Sequence, residues 1–149
     1  MSDPFRLERF VKAQNRRGTY ENALAELRTG RKRSHWMWFV FPQVEGLGSS
    51  PAAREFAISS LEEARGYFAH PLLGPRLIES TGALIVHQGG DATGILGLID
   101  AIKLRSSMTL FALAAPGEPL FEQVLRKYYR GEPDGRTLAF LGVPGHDRV

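Results

Sequence analysis

No stretch of this chain sustains the strict alternation of apolar and polar residues that marks a half-buried strand. Apolar residues recur instead at helical spacing. Tyr20, Ala23, Leu24 and Leu27 fall at i, i+3, i+4 and i+7, and Phe121, Val124, Leu125, Tyr128 and Tyr129 mark a second amphipathic stripe. Leu7, Phe10, Val11 and Gln14 follow the same period. The segment "WMWFVF" has the aromatic and β-branched content of a strand. A lone strand has nothing to pair with, so this segment reads as a buried stretch closed by Pro42. The predicted architecture is all-α, a single compact domain of about six to nine short helices. A length of 149 residues fits one domain with its own core.

Punctuation residues divide the chain. Asp3 and Pro4 read as an N-cap and first helical residue, and Thr19 as the cap of a second helix that Gly30 stops. Ser50-Pro51 and Ser60 open two more, the second running through Phe68. Residues 70–75 form a turn or short helical start before a buried helix over Arg76 to Val86. Asp91 caps a short helix over 92–99, and another runs from Asp100 to Phe111. Gly131 ends the helix of Phe121 to Tyr129, Asp134 caps a last one through Leu141, and residues 142–149 are expected to be a loose tail.

Several function classes drop out early. With no cysteine there is no disulfide, thiolate metal site or cysteine nucleophile. The N-terminus, "MSDPFRLERF", has no apolar signal core, and the longest apolar runs fall short of the roughly 20 residues that span a bilayer. A cytoplasmic location and no membrane partner are therefore expected. The net charge of +3 favours anionic partners in general. Only "RKR" at 31–33 and "QNRR" at 14–17 are basic clusters, too little for a specific nucleic-acid footprint. His35, His70, His87 and His146 lack partners at i+3 or i+4, so no metal site is expected. No Walker A, GxGxxG or GxSxG motif occurs, and no cofactor is expected. "GGDATGILG" lacks the strand a dinucleotide loop needs, although a phosphate could use the helix start after Asp91.

Two stretches carry chemistry. In "GRKRSHWMWFVFPQ", His35, Arg33 and Gln43 could sit at a cleft mouth with a tryptophan as stacking floor, a combination that suits an anionic aromatic ligand. The alternative is a core segment with a solvated basic leader. We expect Met37, Phe39 and Phe41 to point inward, with His35 and one tryptophan at a cleft shared with Lys103. In "GLIDAIKLRSSMTLF", helical spacing puts Asp100, Lys103 and Ser107 on one flank of a stripe formed by Ala101, Leu104, Met108 and Phe111, while Arg105 points elsewhere. That flank is either an ordinary ion pair or a polar cluster able to hold a phosphate or sugar.

The blocks "LERFVKAQ", "ENALAELRTGRKRSHWMWFVFPQ", "GLGSS", "FAISSLEEARGYFAHPLLGPRL" and "DAIKLRSSMTLF" resemble the signature blocks of the domain-of-unknown-function family numbered 1810. The resemblance covers residues 5–141 and implies a mainly helical fold without an established activity. Residues 72–111 are also loosely similar to the C-terminal half of the NADAR/YbiA-like helical proteins, although Leu96-Gly97 stands where those have Trp-Gly. That second resemblance implies chemistry on N-glycosidic bonds of ADP-ribose-like compounds. The expected function is then binding of a small anionic metabolite, with glycosidic hydrolysis as the reaction if there is one. Arg31, Arg33 and Arg105 would hold phosphate, with Gln43, Ser106 and Ser107 as further polar contacts. Trp36 or Trp38 would stack a base, Asp91 or Asp100 would orient a water, and Lys103 would stabilise charge or attack the anomeric carbon. The competing expectation is a non-enzymatic module that offers a basic helical surface to an acidic protein.

Overall fold

The computed structural model describes residues 3–143. Its helices are α1 (Glu8–Asn15), α2 (Thr19–Thr29), α3 (Met37–Val40), α4 (Pro51–Glu55), α5 (Leu61–Ala69), α6 (Leu73–Val86), α7 (Ala92–Leu96), α8 (Leu98–Ala114), α9 (Leu120–Tyr129) and α10 (Gly135–Leu141). No strand occurs among the described residues; one isolated parallel bridge joins Val44 to Ile58. The all-α, single-domain expectation holds.

The long helix α8 explains the arrangement. Leu104, Met108, Leu110 and Phe111 are fully buried and do not share one face, so α8 is covered from more than one direction. It packs against α5, α7, α9 and α10, while α6 joins α2, α5 and α9. Phe10, Trp36, Phe41, Tyr67, Phe111 and Phe121 sit in one continuous core. Their rings meet in sequence, Phe10 on Tyr67 edge-on at 5.0 Å, Tyr67 on Phe111 at 5.5 Å and Phe111 on Phe121 at 5.8 Å.

The boundaries differ from expectation where backbone chemistry decides them. Asp3 is not the cap of a helix beginning at Pro4. Its carboxylate accepts from the N–H groups of Leu7 and Glu8 at 2.8 and 3.1 Å, and α1 begins only at Glu8. Thr19 is inside α2, not its cap: Gly18, left-handed at φ 68°, occupies that position, and the Thr19 hydroxyl donates to Arg16 O. Residues 73–75 already belong to α6, whose start is capped by His70 Nδ1 accepting from Leu72 and Leu73. Gly97, at φ 89° and ψ 158°, splits the apolar run over 92–99 and lets α8 begin at Leu98, in a conformation open to few other residues. The buried stretch after Trp36 is a single helical turn, α3. Of the expected loose tail, residues 144–149 lie outside the described residues.

Candidate functional site

Glu26, on the last turns of α2, shapes the segment that leads into α3. Gly30 ends α2 at φ 78°, the only sign of φ that lets the chain reverse here cheaply. The returning chain then wraps the Glu26 carboxylate. Oε1 accepts from Arg33 N at 2.9 Å, Ser34 N at 3.1 Å and Trp36 Nε1 at 2.8 Å, and Oε2 accepts from Ser34 Oγ at 2.6 Å. Burial pushes this carboxyl upward, but hydrogen bonds from Ser34, Arg33 and Trp36 outweigh it and hold the group at about 2. Lys32 N donates to Ile95 O at 2.8 Å, which ties the same segment to α7.

This anchoring presents Lys32 to α8. Lys32 Nζ lies 2.8 Å from Asp100 Oδ2, and Lys103 Nζ lies 3.2 Å from Asp100 Oδ1. The side chains of Lys32, Asp100 and Lys103 are only 9%, 17% and 21% exposed, so solvent screens this triad poorly. Each ammonium also sits over an indole, Lys103 Nζ at 4.1 Å from the Trp38 ring centre and Lys32 Nζ at 5.0 Å from that of Trp36. Lys32 Nζ further donates to Ser34 O at 2.6 Å. Beside the triad opens a cavity of about 270 Å³, bordered by Lys32, His35, Trp36, Trp38, Asp100 and Lys103 and finished by Met37, Phe39 and Ala52. Gly48 closes the edge of Trp38: a Cβ there would stand 2.9 Å from the indole and 3.0 Å from Ala53. Two ammoniums share one carboxylate, so the rim carries one uncompensated positive charge.

His35, Trp38, Asp100 and Lys103 thus border one cavity, where His35, one tryptophan and Lys103 were the expected set. Trp36 lines the cavity from beneath, 1% exposed with its N–H spent on Glu26, so Trp38 is the tryptophan at the cleft. Met37 and Phe41 point inward, whereas Phe39 is half-buried against Phe56 at 5.2 Å between ring centres. The remaining candidates lie elsewhere. Arg31 and Arg33 are exposed and do not border the cavity, because the segment is not helical and neighbouring side chains leave it on different sides. Gln43 is buried at 2% with Nε2 toward Phe41 O at 3.4 Å. Asp91 caps α7, its Oδ1 accepting from Gly94 N at 2.7 Å. Arg105 donates to Glu132 O at 2.9 Å and faces Tyr129. Ser106 Oγ bonds back to Ile102 O. Ser107 follows Lys103 by one turn on the same face of α8, as the spacing predicts, but it is fully buried and does not border the cavity.

Sequence reasoning missed Lys32 and Glu26. The signal for Lys32 was its central place in "RKR", between the two arginines expected to hold phosphate. Among the described residues no three His, Asp or Glu side chains gather closely enough to hold a metal ion, and no helix is long and apolar enough to cross a membrane.

The protein is of the all-α class, a single helical domain that here carries a Lys–Asp–Lys triad over paired indoles. Within that class, the chain belongs to the family described as "Protein of unknown function (DUF1810)", whose model matches residues 4–141. It is similar to the conserved hypothetical protein Rv1873 from Mycobacterium tuberculosis, known from a crystal structure, with 55% sequence identity and a TM-score of 0.91. That similarity covers 95% of this chain and 100% of the other. No curated protein matches the chain.

Proposed function

We propose that the cavity beside Asp100 binds a small anionic metabolite of the nucleotide or ADP-ribose type. The observation that carries this reading is the triad itself: two ammoniums fixed by one carboxylate and backed by Trp36 and Trp38, at the wall of an open cavity. An ammonium has three N–H donors. Lys32 spends donors on Asp100 and Ser34 O, and Lys103 on Asp100, so both keep capacity for a phosphate oxygen. Asp100 is a fixed negative charge that can accept from a ribose hydroxyl or hold a water. Any glycosidic hydrolysis would therefore run through Asp100 and not Asp91. On this reading of the ligand, we place the protein in the cytoplasm.

Thermal unfolding and calorimetry with AMP, ribose phosphate and ADP-ribose test the reading. A ligand at about 100 times its Kd stabilises the folded state by about 2.7 kcal/mol. We expect saturable stabilisation by at least one of them, weakened at least about tenfold by Lys103→Met and untouched by Arg105→Gln. If none of the three shifts the transition, the reading falls and the basic interaction module takes its place.

A further inference from the structure

His35 and Phe39 border a second, larger cavity as well, of about 870 Å³. The helix α4 also contributes to both, Ala52 to the smaller and Glu55 to the larger. The two hollows are thus neighbours along one strip of surface, with His35 and Phe39 between them. The far wall of the larger one comes from α1 and the turn after it, where Lys12 and Arg16 stand one helical turn apart. Like charges at that spacing repel, and neither residue forms an ion pair among the described residues. Glu8 precedes Lys12 by four residues, the favourable spacing, and still does not engage it. Arg9, beside them, is committed elsewhere, to Glu63 and to the carbonyls of Phe5, Glu55 and Ala57.

We propose that the two cavities form one groove for a small metabolite with two separated anionic groups. One group lies at Lys32 and Lys103, the other at Lys12 and Arg16, and His35 contacts the portion between them. This rests on the reading of the smaller cavity as an anion site and narrows its ligand class to doubly phosphorylated compounds. A singly phosphorylated ligand satisfies one end only.

Calorimetry at fixed ionic strength separates the two statements. The probes are adenosine monophosphate against adenosine bisphosphate, and fructose monophosphate against fructose bisphosphate. At least one bisphosphate should bind the unmodified protein about tenfold tighter than its monophosphate. In the double variant Lys12→Gln/Arg16→Gln, both changes being on a solvent-facing wall, that advantage should vanish, with the circular-dichroism spectrum confirming an intact fold. Monophosphate binding without any bisphosphate advantage overturns the two-ended groove and leaves the anion site standing. An equal fold loss for both ligands in the double variant also overturns it, since an end that only the bisphosphate reaches cannot cost the monophosphate as much. If no phosphorylated probe binds at all, the anion site itself falls and the groove with it.

Discussion

Glu26 accepts four hydrogen bonds from one short segment, and so it helps to set the conformation of residues 33–36. A glutamine there places an NH2 against groups that are themselves donors. Glu26→Gln should therefore cost about 1–3 kcal/mol, measured as a drop in the urea midpoint at neutral pH. The pH dependence has a definite sign. The folded-state carboxyl titrates at about 2, below its ordinary 4.5, so its stabilisation is complete above the ordinary value and disappears as pH falls toward 2. After discounting for partial solvent screening this is on the order of 1–2 kcal/mol. Comparison of urea midpoints between pH 5 and pH 2 should show a shallower loss in Glu26→Gln than in the parent. An identical loss would mean that the segment is held by something other than this carboxylate. Gly30 shows a related constraint, because its left-handed backbone brings it against the His87 ring, where any Cβ would collide.

The element that carries the site is α3, a single turn too short to be stable by itself. Buried polar groups from its neighbours fix it. Gln14 on α1 donates from Nε2 to Phe39 O at 2.7 Å and to Tyr67 Oη at 3.0 Å, and the Tyr67 hydroxyl donates to Phe39 O at 3.1 Å. Arg76 on α6 donates to Gln14 Oε1 at 3.2 Å. Gln14→Leu should cost about 1–3 kcal/mol, since it strands buried partners. Gln14→Leu and Tyr67→Phe should be non-additive by about 0.5–3 kcal/mol in a double-mutant cycle of urea unfolding, and strict additivity would show that the two do not hold α3 jointly. The same comparison of local with distant determinants explains what could be read from the chain. Ser50, Ser60, Asp91 and Asp134 were legible as caps, because each accepts from the N–H three residues onward, a contact encoded in a few consecutive letters. The core stripes of α2 and α9 were legible for the same reason. The one-turn form of α3 was not, since its support comes from α1, α5 and α6. At the site, Asp100 and Lys103 are helical neighbours and could be paired from spacing alone, but Lys32 reaches them only after the whole chain has folded.

For the molecule as a whole, the Lys32–Asp100–Lys103 triad joins the segment between α2 and α3 to the central helix α8. Packing must hold two positive charges close together in a chain already carrying a net +3. Asp100 is the only anion that reconciles them in the ion pairs formed by the described residues. Asp100→Asn removes that charge with little change of shape. Breaking a fully buried pair costs about 3–5 kcal/mol; with these side chains still partly wetted, about 1–3 kcal/mol is expected. The anion-site reading adds a second consequence. Once the carboxylate is neutral, the two ammoniums and the cavity beside them should welcome an external anion in its place. Phosphate should then raise the melting temperature of Asp100→Asn more than it raises that of the parent, whereas chloride at matched ionic strength should not. A mere loss of pairing predicts recovery that depends on ionic strength alone, because screening of repulsion does not distinguish one anion from another. Equal responses to phosphate and chloride would therefore leave the triad as a clasp between two parts of the fold and remove it from the binding site.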